Sequence, residues 1–549
     1  MMRVLVTEPI AEKGLAILRE VAEVDLRRLT PAELVEAIPA YDALIVRSET
    51  RVTGEVLRRG ARLKVVGRAG VGVDNIDVAT ATELGIAVVN VPGGNTISAA
   101  EHTFALMLAL VRNLPQAMAA LQAGRWERQA FQGVELHGKT LGIIGLGRIG
   151  YEVAIRARAF GMRVLAYDPY VSPARAEAIG VRLVDLPELL RESDIVSIHA
   201  AKTPETARLI GAREIEMMKP GARIVNCARG GMVDEEALYE ALRTGRLAGA
   251  ALDVFSTEPV TDHPLFRLPN VVVTPHLAAS TREAQEFSGV QIALQVARVL
   301  RGELVPEAVN LPPVPPDAQG EVVRYLPLAE ALGAFLGQAF AFPAGEVEVH
   351  YQGPLAETAV QILTHTVLKG FLARRTEEPV NYINAPRVAQ RLGIGVRESR
   401  QAVGGGSPDS RITVRLRGAG GGSGGGPGGS GAGAGDRGVR SVTGALTPEG
   451  RVRLLEVNGL PLDLVPGRYQ VVTRHHDRPG MLGQFGTILG AAGVNIAGLA
   501  LGRERRAGEA VAVFLVDEPP PPEVLARLAA VDGVLEARLV VLPLGEEPA

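Results

Sequence analysis

Only one cysteine, Cys227, occurs in the 549 residues of this chain. One thiol cannot close an internal disulfide or build a multi-cysteine zinc site, and such scarcity fits a reducing compartment. A surplus of either charge is missing as well: 58 Lys and Arg stand against 61 Asp and Glu, a formal net charge of -3. General binders of nucleic acid or anionic membranes are usually basic, so the balance argues against both. Long apolar runs are absent too. The longest, Phe104 to Val111, falls far short of the roughly 20 residues that span a bilayer. The opening residues, MMRVLVTEPIAEKG, read as a strand at once and lack a signal peptide's cleavage pattern. What remains is ordinary globular usage, 47% hydrophobic and 22% charged, which excludes wholesale disorder. At about 150 residues per domain the length suggests three or four domains. The expectation is a soluble, cytoplasmic, multidomain protein.

Glycine is concentrated rather than scarce. Gly418 to Gly435 holds 12 glycines in 18 positions; it cannot bury enough apolar area to offset its ordering entropy and reads as a flexible loop. Proline-rich marks at Leu311–Pro316 and Pro461–Pro466 add two boundaries. Before them, short apolar runs alternate with helix-period segments: RVLVTE (3–8), ALIVRS (43–48), LKVVGRAG (63–70), AVVNVPG (87–93), TLGIIGLG (140–147), RVLAYD (163–168), DIVSIHA (194–200), ARIVNCARG (222–230), GAALDVF (249–255) and VVVTPH (271–276). Near-continuous apolar strands separated by helices imply an α/β fold with doubly wound parallel sheets covered on both faces.

The strand TLGII runs into Gly145-Leu-Gly147-Arg-Ile-Gly150 and a helical segment, and a second strand ends in Asp168, 18 residues after Gly150. A bare GxGxxG says little; between a strand and a helix, with a following acid, it is the dinucleotide fingerprint. Gly145 makes the turn, Gly147 admits the pyrophosphate to the helix N-terminal amides, and Gly150 allows close packing. Asp168 would bond the adenosine ribose and repel a 2'-phosphate, favouring NAD over NADP. Ligands in such sheets bind beyond the carboxyl ends of strands. His199, Ala200, Cys227, Ala228, Arg229 and Asp253 sit at those ends and are expected around the nicotinamide; His199 reads equally as a core histidine.

Arg229, Glu258 and His276 follow three successive strands of this region. Oxidising a hydroxyl by hydride transfer also requires removal of its proton, a task suited to histidine. A carboxylate on the other ring nitrogen fixes the tautomer and stabilises the imidazolium. An arginine fork suits an α-carboxylate and polarises the neighbouring carbonyl.

The segments GRAGVGVDNIDVATATELGIAVVNVPGGNTISAAEH (67–102), LGIIGLGRIG, VNCARGGMVDEEAL (225–238), GAALDVFSTEP (249–259) and VVVTPHLAAST (271–281) resemble the D-isomer-specific 2-hydroxyacid dehydrogenases, and within them the long phosphoglycerate-oxidising forms. The resemblance covers roughly residues 3–311. It implies a Rossmann-type domain (99–283) inserted into a flavodoxin-like substrate domain (1–98 and 284–311). It also implies Arg229 as carboxylate binder, Glu258 as the histidine's partner and His276 as acid/base. Arg148, Ile149, Asp168, Ala200, Cys227, Arg229, Asp253 and His276 to Ala279 match positions that touch NAD in the family. Val71 departs from a threonine found in some members, so any hydroxyl bond to the cofactor from that position is lost.

The same resemblance implies the substrate site. Arg47 and Arg68 end two strands of the substrate domain, where the family holds the phosphate and carboxylate of 3-phosphoglycerate; Arg47 also reads as a solvated strand-end charge. Asn95 and the amides of 91–96 are expected at the carboxylate. The Trp126-Glu127-Arg128 segment resembles one that crosses a dimer interface, bringing Arg128 to the neighbour's substrate.

Residues Arg468 to Leu542 read strand-helix-strand-strand-helix-strand, a ferredoxin-like order, and resemble an ACT domain (468–542), a module that binds amino acids. His475, Asp477 and Asn495 match effector-contacting positions, with His475 to Gly480 expected as a turn. L-serine is the effector that the resemblance implies; an oligomerisation module with no ligand is the alternative. Residues 317–465 resemble the α+β intervening domain of the long forms, with the glycine-rich stretch inserted between two of its strands and Arg451 and Arg453 as exposed strand arginines or anion contacts. The whole reads as an NAD-dependent, serine-regulated homotetramer. A general D-2-hydroxyacid dehydrogenase, such as a glycerate or hydroxypyruvate reductase, and a non-catalytic NAD-sensing corepressor or scaffold are the alternatives.

Overall fold

The computed structural model describes residues 1–315, 317–358, 360–402, 410–418 and 439–544. The glycine-rich stretch, apart from Gly418, lies outside them, as does Pro316. Four sheets organise the described residues, two of them wholly parallel.

The first sheet holds β1 (Arg3–Val6), β2 (Glu23–Leu26), β3 (Ala43–Val46), β4 (Val65–Arg68) and β5 (Ala87–Val89) in the order β2-β1-β3-β4-β5. All pairings are parallel, giving the flavodoxin-like order with its switch point between β1 and β3. The second sheet holds β6 (Thr140–Ile144), β7 (Arg163–Tyr167), β8 (Arg182–Leu183), β9 (Ile195–Ile198), β10 (Ala222–Asn226), β11 (Leu247–Leu252) and β12 (Val271–Val273). Their order, β12-β11-β10-β9-β6-β7-β8, is the Rossmann arrangement with its switch point between β6 and β9. Strands such as Ala43–Val46 and Thr140–Ile144 are buried at every position, as parallel strands covered on both faces require.

Two helices join the sheets. Thr96–Val111 leaves the first for the second. Helix Arg282–Leu300 returns, laying Ile292 and Val296 against Gly67 of β4. Its buried residues, Ala284, Ser288, Gly289, Ile292, Ala293, Val296, Ala297 and Leu300, form a stripe at helical spacing. The chain then crosses the edge of β5: Val309 N–H donates to the Val88 carbonyl, and Asn310 accepts from Val88 N–H. Leu311 and Val314, within the proline-marked boundary, are buried there.

The third sheet comprises β13 (Ala344–Gln352), β14 (Gly395–Gln401), β15 (Arg411–Gly418), β16 (Val439–Leu446), β17 (Val452–Val457) and β18 (Leu460–Leu464), ordered β14-β13-β15-β16-β17-β18. Strands β15 and β16, on either side of the glycine-rich stretch, pair antiparallel from Arg417↔Val439 onward. Helix Gln319–Ala339 packs on this sheet and also on the fourth, where Gln338 exchanges two hydrogen bonds with the Val541 backbone. The fourth sheet contains β19 (Tyr469–His476), β20 (Ile496–Arg503), β21 (Glu509–Val516) and β22 (Val534–Val541) in the ferredoxin-like order β20-β21-β19-β22. Among the described residues no single helix is long and apolar enough to cross a membrane.

Candidate active site

The glycine turn after β6 lies at the switch point of the second sheet. Gly145 has φ +92°, and a Cβ there would fall 2.6 Å from the Ala200 nitrogen at the end of β9. Only glycine combines that φ with that approach. A Cβ on Gly150 would lie 2.1 Å from the Gly145 carbonyl oxygen. At Gly147 the Cβ position is open, with nothing within 4 Å. Gly147 caps helix Arg148–Ala159 with no side-chain hydrogen bond, so the first-turn amides are left for an anion. Asp168 closes the turn from β7: its carboxylate accepts from Leu146 N–H at 2.8 Å and from Tyr170 N–H at 2.9 Å. Ile149 packs half-buried into the core, and Arg148 reaches the Gly93 loop of the first sheet. These residues fit a dinucleotide: a tight turn, free amides, room at the middle glycine and a carboxylate beyond.

At the far end of the sheet, Asn226 ties the turn after β10, accepting from Ala228 N–H at 3.0 Å and donating to the Arg229 carbonyl at 3.0 Å. Burial pushes the Cys227 thiol up to about 12, so it is a neutral lining group. Burial likewise pushes His199 down to about 4, and its Nε2 lies 2.8 Å from Ser197 Oγ; it is a neutral histidine bonded at the end of its own strand. Asp253 is wholly enclosed. Its carboxylate accepts from Thr274 Oγ1 (2.6 Å), Leu277 N–H (2.7 Å) and Ala278 N–H (2.9 Å), and it faces His102 Nε2 at 3.2 Å. Rather than presenting an open side chain to a nicotinamide, Asp253 pins the loop that carries His276 to Ala279. Burial opposes its charge, yet these hydrogen bonds hold its pKa below the ordinary value.

His276 Nδ1 lies 2.7 Å from Glu258 Oε2. The other Glu258 oxygen accepts from Phe255 N–H at 2.9 Å. Burial works against the Glu258 charge, and the bonds from His276 and Phe255 outweigh it, so its pKa falls below the usual value. His276 is a non-glycine residue in the left-handed region, φ 56°, and its N–H donates to the Asp253 carbonyl at 2.9 Å. The ring is 43% exposed, and Nε2 has no partner among the described residues. The loop of Arg229 meets that of Glu258 where Gly230 packs against the Phe255 backbone. With β10, β11 and β12 adjacent, the three strand ends carrying Arg229, Glu258 and His276 form one continuous edge.

Across the cleft the first sheet supplies cations. Arg47 and Arg68 end β3 and β4, beside the switch point. Burial chiefly, then repulsion from Arg229 and Arg47, pushes Arg68 down to about 10 despite the nearby Asp74 and Glu8 carboxylates. Its Nε is buried without a hydrogen-bond partner. Such an orphaned donor beside two further guanidinium groups fits an anionic ligand. Arg229 donates Nε to Asp74 Oδ2 at 3.2 Å and Nη1 to the Ala228 carbonyl at 2.8 Å. Asn95, half-buried, caps helix Thr96–Val111 without a side-chain bond. Arg128 lies in an exposed 3-10 turn (Arg128–Phe131), outside these contacts.

Sequence reasoning passed over two carboxylates here. Glu8, at the end of β1 and buried, accepts from Arg47, Glu49 and Thr50 N–H at 2.9, 3.2 and 3.0 Å, which fixes the Arg47 loop. Asp74 bridges to Arg229. Glu8 could have been found from its strand-end position at the switch point. Asp74, in a glycine-rich loop, carried no signal beyond its charge.

In the fourth sheet the expected turn at His475 is corrected. Strand β19 runs through His476, and alternation turns His475 inward with Val471 and Thr473. Its ring is 1% exposed and sits edge-on to Phe485 at 5.1 Å, so it is a packing residue and not an effector contact. Asp477 pairs with Arg503 at 3.2 Å, and Asn495 donates to Asp517 at 2.7 Å.

Comparison with known proteins places these features in a family. Residues 104–278 match the D-isomer specific 2-hydroxyacid dehydrogenase NAD-binding domain, 321–421 the D-3-phosphoglycerate dehydrogenase intervening domain and 469–533 the ACT domain. A D-3-phosphoglycerate dehydrogenase of Synechocystis sp. is 43% identical over 544 residues, covering 99% of this chain and 95% of the relative. One from Methanocaldococcus jannaschii is 42% identical, covering 99% and 100%. The structure of D-lactate dehydrogenase from Aquifex aeolicus complexed with NAD and lactic acid superposes on 55% of this chain and 96% of its own, with 30% identity and a TM-score of 0.50. With its nucleotide cradle, its histidine–carboxylate edge and this similarity along its length, the chain belongs to the D-3-phosphoglycerate dehydrogenase family of NAD-dependent 2-hydroxyacid oxidoreductases.

Proposed function

We propose that the chain oxidises 3-phospho-D-glycerate to 3-phosphooxypyruvate with NAD, the entry step of L-serine biosynthesis. The observation that carries this reading is the His276–Glu258 couple in a cleft that bears Arg47 and Arg68 on one side and Arg229 on the other. An unphosphorylated 2-hydroxy acid has one carboxylate to satisfy; a phosphorylated one has two anionic ends for this surplus of cations. Bound NAD supplies the acceptor for the hydride leaving C2. His276 Nε2 takes the hydroxyl proton, while Nδ1–H stays bonded to Glu258, which stabilises the imidazolium. Arg229 and the 91–96 backbone hold the carboxylate, with Arg229 also polarising the forming carbonyl; Arg47 and Arg68 hold the phosphate. Gly145, Gly147, Gly150, Arg148, Ile149 and Asp168 receive the adenosine and pyrophosphate, and Ala200, Cys227, Ala228 and Ala279 line the nicotinamide end.

The substrate-binding part is residues 1–98 with 284–311 and the cofactor part 99–283. An exposed apolar strip, Leu114, Met118, Leu121 and Trp126, precedes Arg128; it supports a homo-oligomer, a tetramer in this reading, in which Arg128 meets the neighbour's substrate. Asp477 and Asn495 are the remaining candidates for binding L-serine, each exchanging its present partner for the amino acid. A cytoplasmic location agrees with the single cysteine. Measuring NADH formation from 3-phosphoglycerate, D-glycerate and D-lactate, with and without L-serine, tests the reading. Rapid turnover of the phosphorylated substrate alone, slowed by serine, is expected. Equal rates with D-glycerate would overturn the assigned substrate.

A further inference from the structure

Helix Thr96–Val111 begins at the substrate loop and packs across β10, β11 and β12. His102, on its inner side, directs Nε2 at Asp253 Oδ1 and Thr274 Oγ1, both at 3.2 Å. The His102 side chain is 19% exposed and the Asp253 side chain 0%. An ionised carboxylate only accepts, so Nε2 carries the proton. Asp253 in turn bonds Thr274 Oγ1 and the amides of Leu277 and Ala278, and its carbonyl takes the N–H of His276. Those contacts enclose the one left-handed histidine of the described residues.

We propose that His102 is a positioning residue for His276: it holds the Asp253 carboxylate, through which the helix rooted in the substrate loop sets the backbone and electrostatic surroundings of the acid/base histidine. The inference rests on the acid/base reading of His276. Two observations support it beyond the bond itself. Among the groups that offset the burial of Asp253, His102 contributes most. The Asp253 charge also reaches the catalytic pair, since it works against ionisation of Glu258. The groups facing Asp253 are His102, Thr274 and the Cys227 thiol, with Glu258 and His276 beyond. Loss of the His102 N–H leaves the Asp253 charge less compensated beside the His276–Glu258 pair and loosens the loop that carries His276.

The test uses the full chain with His102→Ala, His102→Gln, His102→Asn and His276→Ala. Turnover is followed as NADH formation from 3-phosphoglycerate across pH, with NAD affinity by calorimetry and folding by thermal melting. His102→Ala is expected to lower kcat about 10- to 100-fold with NAD affinity unchanged within about twofold, the scale of a slight misplacement of a reacting group. The acid limb of kcat/KM is expected to move to higher pH. His102→Gln, whose amide N–H reaches the Nε2 position, recovers most of kcat. His102→Asn, which is too short, behaves like Ala and keeps the test open should the Ala variant not fold. A folded Ala or Asn variant with the parent kcat and pH profile, or a loss that Gln does not recover, overturns the inference. Should His276→Ala retain full turnover, the acid/base reading itself falls. Should His276→Ala be inactive while His102→Ala is fully active, only the role of His102 falls.

Discussion

Arg229 Nε and Asp74 Oδ2 meet at 3.2 Å across the cleft, one from the turn after β10 of the cofactor sheet and the other from the loop after β4 of the substrate sheet. With Nη1 held by the Ala228 carbonyl, the guanidinium is fixed on two sides and its remaining Nη2 edge is left for a ligand. The space for this geometry exists only because residue 72 is glycine: a Cβ there would lie 2.3 Å from Nη2 of Arg229.

Asp74→Ala is therefore expected to lower kcat/KM for the hydroxy acid about 10-fold, because the arginine loses orientation rather than charge. The pair is partly exposed, 30% on the arginine and 69% on the aspartate, so thermal stability should barely move. Steady-state kinetics beside a melting curve separates the two. An unchanged kcat/KM would remove Asp74 from the positioning of Arg229.

Ionisation of Glu258 sets a second expectation. Burial raises the cost of its charge, but the His276 and Phe255 hydrogen bonds keep its pKa below the ordinary value, which is about 4.3. The carboxylate is thus fully charged throughout the neutral range and is lost only as pH falls through that depressed value. An acid limb in the activity profile near neutrality must then come from a group other than Glu258. Glu258→Gln removes the counter-charge of the imidazolium formed when His276 takes the proton, so kcat should fall. His276→Ala should lower kcat roughly 10²–10⁴-fold with NAD affinity retained. An unchanged kcat in Glu258→Gln would remove the carboxylate from the proton transfer.

How much of this was legible in the sequence depended on whether a residue's task is local. The fingerprint glycines, Asp168 and the three strand-end residues Arg229, Glu258 and His276 announce themselves because each sits at a fixed offset from an apolar strand. Strands β2 and β8 did not. Glu23–Leu26 and Arg182–Leu183 are half-exposed outer strands with no continuous apolar run, so periodicity had nothing to detect. Glu8 and Asp74 act on partners 39 to 155 residues away, a relationship no local pattern encodes. His475 failed differently. A His-His-Asp-Arg-Pro-Gly segment reads as a turn, yet antiparallel pairing with Ala510 and Glu509 carries the strand two residues further and turns the first histidine into the core.

Cofactor preference supplies a third test. The Asp168 carboxylate stands over the glycine turn, anchored by Leu146 and Tyr170 amides. A 2'-phosphate beside it would set like charges together in a partly buried site. Asp168→Ala should narrow the ratio of kcat/KM for NAD over NADP about 10-fold or more, from both a weaker NAD contact and relief of the repulsion. An unaltered ratio would mean that another group reads the ribose.

The second and third glycines of the turn separate folding from binding. A methyl at Gly150 meets the Gly145 carbonyl oxygen at 2.1 Å, backbone against backbone, with no flexible side chain to yield. Gly150→Ala should therefore lower the melting temperature markedly, by a cost in the overpacking range of about 1–3 kcal/mol. A methyl at Gly147 meets nothing within 4 Å, and its φ of -72° is one that alanine adopts freely. Gly147→Ala should fold and melt like the parent. Its methyl group would instead occupy the space above the helix amides where the pyrophosphate must approach, so NAD affinity should fall about 10-fold or more. Calorimetric NAD titration beside a melting curve distinguishes the two variants. A Gly147→Ala protein that binds NAD as tightly as the parent would place the cofactor elsewhere, because no other feature of the turn leaves that cradle open.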